Sequence, residues 1–161
     1  MNVLTRAVYA RRMASTLPSG PDPDAITSWI TATYPDTVVG TALGATFFSL
    51  DEEHWPNFAT IVTTDEHDMG TPSDLARPGV FRLNIGVGKE SFEQLVRADE
   101  DPDYAALDRV IPHPIYAKQR WVAILNPSDE TFEAVAKPLI AEAYERVARQ
   151  RRRRGVERSE A

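Results

Sequence analysis

The stretch Val80–Val87 constrains the fold of this chain more than any other. Phe81, Leu83, Ile85 and Val87 alternate with Arg82, Asn84 and Gly86. Successive side chains of a strand point to opposite faces, so a period of two predicts a half-buried strand. Its apolar set faces a core, and Arg82 and Asn84 share the other face.

The rest of the chain supplies partners for that strand. Thr37–Ala42 and Ala45–Leu50, separated by the turn residue Gly44, read as a hairpin, and Phe58–Thr63 reads as a third strand. Arg120–Leu125 reads as a buried strand further on. Helical spacing appears at Ile26, Trp29 and Ile30, behind a capping Asp22 and a first-turn Pro23, and stops at Tyr34-Pro35. Helices are expected again at Lys89–Arg97 and Tyr104–Val110. A last helix opens at Asn126-Pro127-Ser128-Asp129 and carries the stripe Phe132, Val135, Leu139, Ile140, Ala143, Tyr144, Val147. Pro138 lies inside that stripe and is expected to kink or split the helix. Two prolines keep Ile111–Tyr116 out of regular structure. The predicted fold class is α+β, in the order α-β-β-β-β-α-α-β-α. Short links between consecutive strands imply an antiparallel sheet of about five strands with helices packed on one face.

Three charge zones underlie the net charge of −6. Residues 1–20 hold Arg6, Arg11 and Arg12 and no acid. Residues 21–145 hold 22 acids and 8 bases, and residues 146–161 hold seven arginines and two glutamates. The expected organisation is a disordered extension over 1–21, one domain over 22–148 and a basic tail over 149–161. The N-terminal stretch loosely resembles a transit peptide, or is an over-long start with Met13 as initiator. An acidic body is a poor general surface for nucleic acid. Arg149, Arg151, Arg152, Arg153 and Arg154 could still touch RNA, DNA or another anionic surface, although a solvated helix end whose cations suit its C-terminus is the favoured account.

Cysteine is absent, which excludes disulfides, thiolate metal sites and a cysteine nucleophile. That usage fits a reducing compartment, and a cytoplasmic location is expected. No apolar run is long enough to span a bilayer. Gly86-Val87-Gly88-Lys89 meets neither the P-loop nor the dinucleotide pattern, and reads as an ordinary turn. Asp65-Glu66-His67-Asp68, with His54, offers metal-ligand atoms but reads as a solvated loop. No metal or cofactor is expected, and no catalytic signature is found.

The most unusual segment is His113-Pro114-Ile115-Tyr116-Ala117-Lys118-Gln119-Arg120-Trp121, with five chemically distinct polar or aromatic groups in nine residues. Together with Arg82 and Asn84 on the sheet face, His113, Tyr116, Lys118 and Trp121 are the candidate ligand-binding set, suited to a small anion pocket. The plain alternative is a packed loop in which His113 bonds to backbone and Trp121 joins the core.

The runs Phe58-Ala-Thr-Ile-Val62, Arg77-Pro-Gly-Val-Phe-Arg-Leu-Asn-Ile-Gly-Val-Gly88, Pro112-His-Pro-Ile-Tyr116, Trp121-Val122 and Leu125-Asn126-Pro127 resemble a bacterial domain-of-unknown-function family, the one numbered 6194. The similarity spans about residues 22–148 and implies no activity. A more distant resemblance to MmcQ/YjbR-like proteins implies a double-wing α+β fold, and with it a DNA-binding role that the acidic body opposes. The favoured reading is a non-enzymatic module binding a small-molecule or protein partner. The alternatives are nucleic-acid binding through the arginine tail, and an enzyme on a small anion with His113 as acid or base and Arg82 as anion clamp.

Overall fold

The structure, a computed structural model, describes residues 17–53, 55–98 and 101–160. Helix α1, Pro23–Thr33, starts where Asp22 Oδ1 accepts the Ala25 N–H at 2.8 Å. Four strands follow: β1 Val38–Ala42, β2 Ala45–Ser49, β3 Asn57–Val62 and β4 Arg82–Gly86. Then come α2 Lys89–Leu95, β5 Val110–Pro112 and β6 Trp121–Leu125. A single turn, α3 Asp129–Thr131, leads through a π-helical segment Phe132–Ala136 into α4, Lys137–Glu160. The strands form one sheet in the order β1-β2-β3-β4-β6-β5, with every neighbouring pair antiparallel. The α+β class and the antiparallel sheet are as the sequence predicts, with one strand more than expected.

That extra strand is β5, and it replaces two expectations. The helix predicted over Tyr104–Val110 is absent. Asp108 takes a left-handed φ of 57°, donates its N–H to Leu125 O at 2.7 Å and accepts the Ser128 N–H at 2.7 Å. These long-range bonds pin the chain beside β6, where local propensity alone would coil it. Val110–Pro112 then runs as a short strand even with a proline, because β5 lies at the sheet edge where a missing N–H leaves no ladder partner wanting.

Pro138 splits the last helix in a specific way. Its ring would clash with the carbonyl four residues back, and it has no N–H to offer. The preceding turn widens instead, with Lys137 N–H reaching Phe132 O, and α4 continues beyond. Helical structure extends to Glu160, so the arginine run is part of α4. Residues 1–16 of the expected extension lie outside the described residues. Leu17–Gly20 pack on the body: Leu17 lies against a small apolar cluster with Leu75, Val80, Ile111 and Leu125, and Ser19 O accepts the Asp129 N–H at 2.9 Å.

The main core fills the space between one sheet face and the helices. Leu83, Ile85, Val122 and Ile124 meet Ile26 and Ile30 of α1 and Ile140 and Ala143 of α4, all fully buried. Among the described residues, no helix is long and apolar enough to cross a membrane. The opposite sheet face carries Thr60, Arg82, Asn84 and Trp121, and there the candidate site lies.

Candidate functional site

Period two puts Arg82 and Asn84 of the middle strand on the face away from the main core, yet both are about 1% exposed. A buried guanidinium must be paired and hydrogen-bonded or it destabilises the fold. Its partner comes from the acidic loop. Arg82 Nη1 and Nη2 donate to Asp68 Oδ2 and Oδ1 at 2.9 and 3.0 Å, a two-pronged pair. Nη1 also donates to Ser73 Oγ at 2.9 Å, and Nε to Asn84 Oδ1 at 3.0 Å. Asn84 Nδ2 passes the chain on to Thr60 Oγ1 at 3.0 Å. The guanidinium therefore spends four of its five N–H groups inside the protein.

This corrects two readings. Arg82 is no open anion clamp, because a carboxylate already neutralises it at hydrogen-bond distance. The loop Asp65–Asp68 is not simply solvated: Asp68 is 7% exposed in its side chain, and Asp65 Oδ2 accepts the Leu75 N–H at 2.9 Å. His54 lies outside the described residues.

His113 follows directly on β5, donating its N–H to Trp121 O at 2.9 Å and so prolonging the ladder. Its imidazole is 4% exposed and its Nδ1 accepts the backbone N–H groups of Ile115 and Tyr116, both at 3.0 Å. An Nδ1 that accepts twice puts the ring proton on Nε2. Burial, reinforced by the neighbouring Arg82 guanidinium, pushes the pKa of His113 down to about 3, while Asp68 opposes the shift. The ring is neutral at physiological pH, and an imidazole so hard to protonate is a poor general base there. The Tyr116 ring lies 5.0 Å from it, centroid to centroid.

Arg82, Asn84, His113, Tyr116 and Trp121 thus line one concavity of about 480 Å³ on the sheet face. Lys118 is not among its walls. It sits exposed on a 3₁₀ turn, Ala117–Gln119. Residues not singled out in the sequence complete the site. Ala45, Phe47, Thr60 and Val62 present their side chains from β2 and β3, and Leu43 and Trp55 stand at the mouth. Leu43 is 72% exposed, Trp55 68% and Tyr116 51%, three of the six large apolar side chains left exposed among the described residues. Phe47 is open to prediction, since it immediately precedes the core residue Phe48 in a strand and must face away from it. Asp68 was announced more faintly, by the need of a buried arginine for a carboxylate.

Gly86 lets Trp121 lie flat across the end of β4: a Cβ at position 86 would stand 3.1 Å from the indole ring. At the turn that follows, Glu142 Oε1 accepts the Gly88 N–H at 3.1 Å, and Arg146 Nη1 donates to the carbonyls of Gly86 and Val87 at 3.1 and 2.7 Å. A carboxylate occupies the start of α2, so that turn is structural and holds no phosphate.

The family of unknown function DUF6194 matches residues 21–156, and the chain belongs to it. No curated protein and no solved structure matches.

Proposed function

We propose that this DUF6194 domain is a non-enzymatic binding module that takes the apolar, uncharged part of a small organic molecule into the cup between β2, β3, β4 and the His113–Trp121 segment. The observation that carries this reading is the closed network at the base of the cup. Arg82 and Asp68 cancel each other's charge, and His113 is neutral, so the base offers hydrogen-bonding groups without a free charge. Around it stand Ala45, Phe47, Val62, Ile115, Tyr116 and Trp121. A cup of a few hundred Å³ with apolar walls and a few converging polar groups is the usual form of a small-molecule site. His113 Nε2–H and Thr60 Oγ are the groups suited to fix the orientation of a ligand. A catalytic role finds less support, because the arginine is spent on Asp68 and the imidazole resists protonation.

N-phenyl-1-naphthylamine, an uncharged fluorescent amine of two ring systems, tests the reading. The protein should bind it saturably, one to one. Ala45→Trp, which fills the cup from a half-exposed strand position, should weaken binding by about tenfold or more, the loss of about 1.4 kcal/mol, with the melting temperature unchanged. Absence of saturable binding, or binding indifferent to Ala45→Trp, would overturn it.

A further inference from the structure

The cup has a neighbour. Trp55, Asn57, Gln119 and Trp121 are walls of the cup and also walls of a second groove of about 650 Å³, whose far side is α4. From that helix Arg146, Arg149 and Arg153 face the groove. Their spacing of three and then four residues puts them on one helical stripe. The described residues lining the groove include no carboxylate, in a chain whose body is strongly acidic.

The three arginines are not equivalent. Arg146 is anchored at the start of the groove, its Nη1 donating to the carbonyls of both Gly86 and Val87. Arg149 uses only its Nε, on Glu145 O at 3.4 Å. Arg153 has no hydrogen-bond or ion-pair partner among the described residues. Compensation of the helix dipole does not explain them. That effect fades within the last turn, and α4 runs on to Glu160, leaving both residues more than one turn short of its end. What remains is a pair of guanidinium groups across Trp121 from the apolar cup.

We infer that the ligand carries an anionic group, phosphate in its charge and geometry, which leaves the cup over Trp121 and is held by Arg149 and Arg153. This rests on the cup taking the apolar part of the same molecule. Guanidinium groups bind such oxyanions through paired, charge-assisted N–H···O bonds, and the indole between the two sites provides a flat surface for the connecting atoms. An apolar or aromatic organic phosphate is the class of compound that satisfies both halves.

A matched pair of dyes separates the two halves. N-phenyl-1-naphthylamine has no charge, and 1-anilinonaphthalene-8-sulfonate has the same rings with one added sulfonate. In low salt the sulfonate dye should bind about tenfold more tightly than the amine, about 1.4 kcal/mol. That advantage should shrink strongly at about 0.5 M salt, where screening acts within a few ångströms. Millimolar inorganic phosphate should compete with the sulfonate dye and leave the amine in place. Arg149→Gln/Arg153→Gln, both on the exposed helix face, should abolish the advantage and leave amine binding as it was. Equal affinities for the two dyes, or an advantage that survives the double replacement, would overturn the anion site while the cup reading stands. Arginine-dependent binding of the sulfonate with no binding of the amine would do the reverse, leaving the anion site and removing the cup.

Discussion

The two faces of the central sheet are built on different principles. The helix-covered face is continuous hydrocarbon: Leu83, Ile85, Val122 and Ile124 are fully buried against α1 and α4. The other face buries an arginine, an asparagine and a histidine beside an aromatic-rimmed hollow. One face is held by many weak, non-directional contacts and tolerates local adjustment. The other adds to a small apolar cluster around Ala123 and Leu125 a few directional bonds, and failure of one member leaves its partners without compensation. The same five residues of β4 serve both faces, so a strand can close a core and open a site through the pleat alone.

The contrast is sharpest when a single buried partner is removed. Asp68→Ala should destabilise the protein by about 3–5 kcal/mol, because it strands a buried guanidinium. The double replacement Arg82→Met/Asp68→Leu should recover most of that loss, since the polar bonds cost about as much desolvation as they return. Chemical denaturation of the three proteins checks both statements, and a double variant as unstable as the single one would break the distinction between the faces. On the helix side, Leu83→Ala should cost about 2–5 kcal/mol through lost transfer energy and an unfilled cavity. No second apolar truncation at a contact should restore it, and the same denaturation curves decide.

The effect that is smallest per step, a change of stability with pH, is the most diagnostic of the polar face. His113 holds its pKa near 3 in the folded protein, below its ordinary value of 6.5. Between those limits the unfolded chain takes up a proton that the folded one refuses. Stability from this group is complete above about pH 6.5 and declines as pH falls, by at most about 1.4 kcal/mol per pH unit. The difference in stability between the protein and His113→Gln should show that slope. A difference independent of pH between 4 and 7 would mean that the imidazole is not buried in the neutral form.

The same contrast explains what could be read from the residues. The helix face was legible because apolar periodicity is a local signal: the alternation of Leu83 and Ile85 with Arg82 and Asn84, and the stripe from Phe132 to Val147, predict their elements directly. The polar face depends on contacts distant in the chain. Asp68 lies 14 residues from Arg82, and nothing in either segment states the pairing beyond the energetic need for one. Asp108 overrides helical propensity through bonds to Leu125 and Ser128 that only the folded sheet supplies. Lys118 is close to His113 and Trp121 in the chain, but it lies in the 3₁₀ turn Ala117–Gln119, exposed and outside the concavity. Arg82, Asn84, His113, Tyr116 and Trp121 do share one concavity, because strand pairing brings β4, β6 and the end of β5 side by side.

The packing of Trp121 on Gly86 reaches beyond this one chain. With 3.1 Å between the ring and the place of a Cβ, the indole and the bare backbone occupy each other's room. The two positions cannot drift independently over generations: a relative that acquires a side chain at the glycine must surrender the indole or move it, and a relative that loses the indole is released from keeping the glycine. Substitutions at these two sites should therefore travel together through the lineage.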